Sequence, residues 1–126
     1  MLKMLNNPAL QPPVGYSHAV AATGIGTLLF ISGQVGALPD GSVPASVGEQ
    51  ATVAIANLNA MLAQAGMDGS NIAKLTIYLT DQAYLGEFMM AAGPMLPVPA
   101  PAVTLLVVKA LGGPDLKVEI EAIATR

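Results

Sequence analysis

The sequence contains no cysteine, one histidine and only five basic residues. The first absence excludes a disulfide scaffold and thiol chemistry. His18 alone, with no cysteine beside it, excludes a structural zinc site of the usual ligand sets. Charge of either sign is scarce: charged residues make up 10% of the chain and hydrophobic residues 53%. So little charge leaves a domain of this size short of polar groups to cover itself. The apolar surplus therefore implies a subunit interface, because large exposed apolar patches mark contact surfaces. The basic residues, Lys3, Lys74, Lys109, Lys117 and Arg126, are scattered, and the formal net charge is -3. No basic stripe exists to neutralise a phosphate backbone, so nucleic acid is not an expected partner.

A targeting segment and a membrane span are not expected either. Lys3 could open a signal peptide, but Asn6-Asn7-Pro8 interrupts the apolar run that must follow. Residues 88–108 carry no charge and have the length of a span. Pro94, Pro97, Pro99 and Pro101 remove backbone donors and break a helix there. A cytoplasmic location is the default expectation.

At 126 residues the chain is the size of one domain, and 1–126 is read as a single unit. Residues 2–5 and 16–22 are candidate strands, and 27–32 is a stronger one. Thr23-Gly24-Ile25-Gly26 between the last two has the composition of a hairpin turn. Gly33 and Gly36 are expected to end the third strand, and Pro39-Asp40-Gly41 signals a turn. The clearest helix covers 47–65. Ser46 and Glu49 have capping-box spacing. Ala51, Ile55, Leu58 and Leu62 form one apolar stripe, and Gly66 closes the helix.

A strand is expected over 72–79 and a second helix over 84–92. Residues 102–109 form a strand apolar on both faces, a pattern that calls for cover on both sides. One helical layer covers one face, and a neighbouring subunit is the simplest cover for the other. In the last strand, 117–125, period-two alternation places Glu119 and Glu121 on one face.

Three segments resemble the Rid (reactive intermediate deaminase) family, also called endoribonuclease L-PSP. The first is Tyr16-Ser17-His18-Ala19-Val20 followed by Leu29-Phe30-Ile31-Ser32-Gly33-Gln34-Val35. The second is Glu49-Gln50 and Asn57-Leu58, then Lys74-Leu75-Thr76-Ile77-Tyr78-Leu79-Thr80-Asp81. The third is Val118-Glu119-Ile120-Glu121-Ala122-Ile123-Ala124. They lie in the family's order and extend over nearly the whole chain. The resemblance implies an α+β, chorismate-mutase-like fold: a mixed sheet with two helices on one face, in a homotrimer around a central sheet barrel. It also implies small-molecule clefts between subunits, hydrolysis of enamines and imines with release of ammonia, and no metal or organic cofactor.

By the same resemblance Glu119 corresponds to the water-handling glutamate, and Tyr16, Ser32 and Gly33 to cleft-lining positions. The family's Pro-Ala-Arg-Thr becomes Pro101-Ala102-Val103-Thr104, with Val103 in place of the carboxylate-binding arginine. Phe88 falls where some members carry asparagine. Arginine offers a rigid two-pronged donor that valine lacks. A buried carboxylate without its partner costs on the order of 2–5 kcal/mol. The substrate is then expected to bind without an arginine anchor, in contact with Tyr16, Ser32, Gly33, Phe88 and Val103.

For each of these residues a plainer role competes. Alternating glutamates on a strand often form a solvated face, and Glu121 is read as structural. Tyr16 fits a rim position, Ser32-Gly33 a strand end, and His18 a hydrogen-bonded structural role. Two other functions stay open: a non-catalytic metabolite-binding or accessory protein on the same scaffold, and a ribonuclease, against which the low basic charge argues.

Overall fold

A computed structural model describes all residues, 1–126. Strands β1 (Leu2–Leu5) and β2 (Ala19–Ala22) pair antiparallel as a two-stranded sheet. The larger sheet contains β3 (Leu28–Val35), β4 (Ile72–Leu79), β5 (Ala102–Val107) and β6 (Val118–Thr125) in the order β3-β6-β4-β5. It is mixed: β4 and β5 run parallel, and β6 is antiparallel to both β3 and β4. Helices α1 (Val47–Gln64) and α2 (Leu85–Ala92) share the core on one face of this sheet.

Helix α1 forms where its stripe and caps place it. Ser46 Oγ accepts a hydrogen bond from the Glu49 amide at 3.1 Å, satisfying one of the free donors of the first turn. Ala51, Ile55, Leu58 and Leu62 are all buried. Gly66 has φ +69°, the left-handed conformation that ends a helix at low steric cost. Against these residues pack Leu75, Ile77 and Leu79 of β4 and Val118, Ile120, Ala122 and Ala124 of β6. Alternate residues of both strands thus face the core, as the alternation of the last strand requires.

Gln50 is the polar exception within the core. Its amide nitrogen donates to the carbonyls of Pro44 (2.8 Å) and Asp115 (2.9 Å). Its carbonyl accepts from the Lys117 amide at 2.8 Å. One fully buried side chain therefore ties α1 to the loops before it and before β6, with its hydrogen-bonding capacity used.

Three local expectations need correction. Residues 23–26 do not form a hairpin turn, because β2 and β3 belong to different sheets and β2 instead returns to β1. Nor does Gly33 end the third strand at residue 32, whereas Gly36 does follow its last residue, Val35. The strand continues to Val35 through a bulge, in which three steps from Ile31 to Gln34 oppose two from Ala122 to Ile120. The strand read over 102–109 also stops at Val107.

His18 has a structural setting. Its Nδ1 accepts from the Asn7 amide at 3.0 Å, and its Nε2 lies 2.9 Å from the Gln11 carbonyl. The first bond requires a bare Nδ1 and the second a proton on Nε2, which fixes a neutral tautomer. The ring holds the 6–18 connection folded on itself. No helix is long and apolar enough to cross a membrane, and residues 88–108 divide between α2, the proline segment and β5.

Truncating Phe88, which is fully buried between the helices and the sheet, is expected to destabilise the fold by about 3–5 kcal/mol. Urea denaturation of Phe88→Ala measures this, and a loss below about 1 kcal/mol would contradict the core placement.

Candidate functional site

The sheet face away from the helices is set by register. Across it run three rows: Phe30, Ile123, Lys74 and Ala102; then the bulge at Ser32-Gly33 beside Glu121, Thr76 and Thr104; then Val35, Glu119, Tyr78 and Leu106. No helix covers this face. Phe30 remains 69% exposed and Leu106 46%, an unusual state for large apolar side chains at the centre of a strand.

The bulge brings β3 up against Glu119. A β-carbon built on Gly33 would meet the Glu119 carboxylate oxygen directly, with its Cδ at 2.6 Å and Cγ at 2.8 Å. Only a glycine leaves room for the carboxylate here. Gly33 is therefore required by close approach, since the strand itself would be firmer with a side chain at this position. Bulges recur next to functional sites because they re-aim side chains, and this one makes the space that Glu119 occupies.

Two hollows flank that contact. One, of about 310 Å³, is lined by Tyr78, Glu119 and Glu121 together with Val108, Ala110 and Leu111 of the loop after β5. The other, of about 290 Å³, is lined by Phe30, Ser32, Lys74, Thr76, Glu121 and Ile123. Glu121 belongs to both. Its carboxylate accepts a hydrogen bond from the Tyr78 hydroxyl at 2.6 Å. That bond holds the phenol's proton and raises its pKa above the ordinary tyrosine value. Partial desolvation and the charges of Glu121 and Glu119 push the same way. Lys74 Nζ donates to Thr104 Oγ1 at 2.6 Å.

The residues singled out in the sequence separate into two groups. Ser32, Gly33 and Glu119 come together on the β3–β6 side. Tyr16 lies at the opposite edge of the sheet, next to Ser17, whose amide donates to the Pro101 carbonyl at 2.8 Å and whose hydroxyl donates to the Ala100 carbonyl at 2.6 Å. Tyr16 is 38% exposed and meets the His18 ring edge-on at 6.0 Å. Val103 is in that edge strand as well, but pairs with the buried Leu75 and packs against the core, on the face opposite Glu119. Three strand steps of about 4.8 Å put β5 roughly 14 Å from β3.

Phe88 needs correction as a ligand contact: it is fully buried and belongs to the hydrophobic core. An aromatic side chain on α2 gains more from filling the space between α1 and the sheet than from lining a cleft. Sequence reasoning also left Tyr78 and Lys74 outside the site. The two lie on one face of β4, but only the register of β4 against β6 pairs Tyr78 with Glu119, and only the fold brings Lys74 within hydrogen-bonding reach of Thr104 on β5.

The sequence matches the endoribonuclease L-PSP family over residues 6–126. It is 35% identical over 120 residues to Reactive Intermediate Deaminase A, chloroplastic, of Arabidopsis thaliana, a match spanning 94% of this chain and 61% of that longer protein. It is 32% identical over 120 residues to TdcF of Escherichia coli, spanning 92% of each. Among solved structures, the Rid-family protein YyfB from Yersinia pestis superposes with a TM-score of 0.89 at 30% identity, over 99% of this chain and 98% of that one. TdcF from E. coli, crystallised with bound serine, superposes with a TM-score of 0.72 at 27% identity over 98% of both. Matched from Asn6 to its last residue and similar to Rid structures along its length, the chain belongs to the Rid, or endoribonuclease L-PSP, family.

Proposed function

We propose that the chain works as a homotrimer that binds a small molecule in clefts between subunits and hydrolyses a C=N bond there with release of ammonia, Glu119 handling the water. The observation that carries this reading is the contact between Gly33 and Glu119, where a strand bulge and a bare α-carbon make room for one carboxylate. Support for assembly comes from the separation of the site residues. Val103 faces its own core, and Tyr16 at the β5 edge and Ser32, Gly33 and Glu119 at the β3–β6 side cannot meet within one chain. A β5 edge from one copy against the β3–β6 side of the next reunites them. The same contact covers Phe30 and Leu106.

The chemistry asked of Glu119 is ordinary for a carboxylate. It accepts a proton as the water oxygen bonds to the imine carbon. It then returns the proton to nitrogen, and ammonia leaves as the carbonyl forms. No step requires a metal or an organic cofactor. The absence of a basic stripe among the five cations argues against an RNA substrate.

In solution, light scattering is expected to give a mass of three chains, and a monomer at micromolar concentration would remove the cleft. Freshly generated imines should release ammonia faster with the protein than in buffer. Glu119→Gln should lower the rate by about 10²–10⁴-fold, the range of a positioned general base, without unfolding the protein. Gly33→Ala, which pushes the carboxylate out of its place, should lose a comparable share. Ligand binding with no turnover for any imine would favour a metabolite-binding protein instead.

A further inference from the structure

The charges around the cleft determine which imines it can hold. Val103, where the family resemblance places the carboxylate anchor, is aliphatic and packs on the core. The remaining cations are placed elsewhere. Arg126 donates to the Gly66 carbonyl at 2.9 Å, beyond the end of α1. Lys117 donates to the Ala45 carbonyl and lies 5.3 Å from the Tyr84 ring centre. Lys3 is on β1, in the other sheet. Lys74 is bonded to Thr104 and shares its hollow with the Glu121 carboxylate. Lys109 lies between Val108 and Ala110 but does not line the hollow that they line with Glu119. That hollow holds two carboxylates, one oriented by Tyr78, and no cation.

A ligand carboxylate in such a hollow meets two like charges, which costs affinity. A protonated imine is a cation and meets two opposite ones. Resting on the reading above, we propose that the substrates are imines derived from amines, bound as iminium cations and lacking a carboxylate, with Glu121 held by Tyr78 as the group that selects the charge. The reaction balances, since an iminium cation and a water molecule give a carbonyl compound and an ammonium ion. The water oxygen bonds to carbon and the C=N π pair moves to nitrogen. Glu119 takes the water proton and returns it to nitrogen, and the C–N bond breaks. The class of reaction that supplies such a substrate is the two-electron oxidation of a primary amine. Glu121 and Tyr78 act as specificity and positioning residues, and Glu119 remains the catalytic one.

The hydrogen bond itself can be read in solution. The Tyr78 phenol should ionise above the ordinary tyrosine range in an ultraviolet titration, and Glu121→Gln should bring it down.

The proposal is tested by comparing two imines of similar size. A flavin amine oxidase acting on benzylamine supplies one without a carboxylate, and a flavin amino-acid oxidase acting on phenylalanine supplies one with it. In parallel, benzylammonium and benzoate are titrated by NMR as stable probes. Expected are accelerated hydrolysis of the benzylamine-derived imine only, and binding of benzylammonium at least about tenfold tighter than benzoate, the scale of one charge-assisted contact. Glu121→Gln, which keeps the side-chain shape, should erase that preference. Equal or faster hydrolysis of the phenylalanine-derived imine, equal or tighter binding of benzoate, or a preference unchanged in Glu121→Gln overturns the proposal. In the first two cases Lys74→Met and Lys109→Met identify the anchor. If neither imine is accelerated while the Glu121-dependent ammonium preference holds, the charge selection stands and the hydrolytic reading falls. Loss of both sinks both.

Discussion

Two helices cover one face of a four-stranded sheet, and nothing in the chain covers the other. The helical side is a conventional core, with the small and branched side chains of β4 and β6 fitted against the stripe of α1. The open side mixes large apolar groups, Phe30 and Leu106, with Lys74, Tyr78, Glu119 and Glu121. Burying such a face requires both apolar contact and a place for the charges. A second copy of the same face and edge offers both, since symmetric assemblies reuse one surface. The low charge of the chain, 10% of residues, is consistent with this open, largely apolar face.

Period and caps made most of the fold legible. The 3.6-residue stripe and Ser46 located α1, and alternation placed β4 and β6 within a residue of their observed limits. Pairing was less accessible. The glycines at 24 and 26 have the composition of a hairpin, yet β2 pairs with β1 because its partner is chosen by long-range contact and the 6–18 connection clasped by His18. The bulge at Ser32-Gly33 was invisible for a related reason. A glycine in a strand can end it, bend it or make room for a neighbour, and only the register with β6 decides which.

The site was legible in part. Glu119, Ser32 and Gly33 were named from a resemblance and do lie together. Tyr16 and Val103 were named on the same grounds but belong to another edge, where Val103 faces the core. Phe88 failed because an alignment position carries no information about whether a larger residue turns inward. Asparagine on a short helix can face a cleft. Phenylalanine at that place gains far more from the core, and α2 buries it.

On the proposed reading, valine at position 103 and the two carboxylates beside Gly33 bear on one property, the charge of the ligand. An arginine in a low-charge protein needs either a ligand carboxylate or a protein carboxylate to balance it. The hollow that Glu119 and Glu121 line together holds no cation. Lys74 contributes positive charge only on the far side of Glu121, bonded to Thr104. Two carboxylates left in this balance favour a ligand that brings its own positive charge and disfavour one that brings another negative charge. On that proposal, valine at position 103 changes which imine is admitted, and Glu119 keeps the space that Gly33 leaves for it.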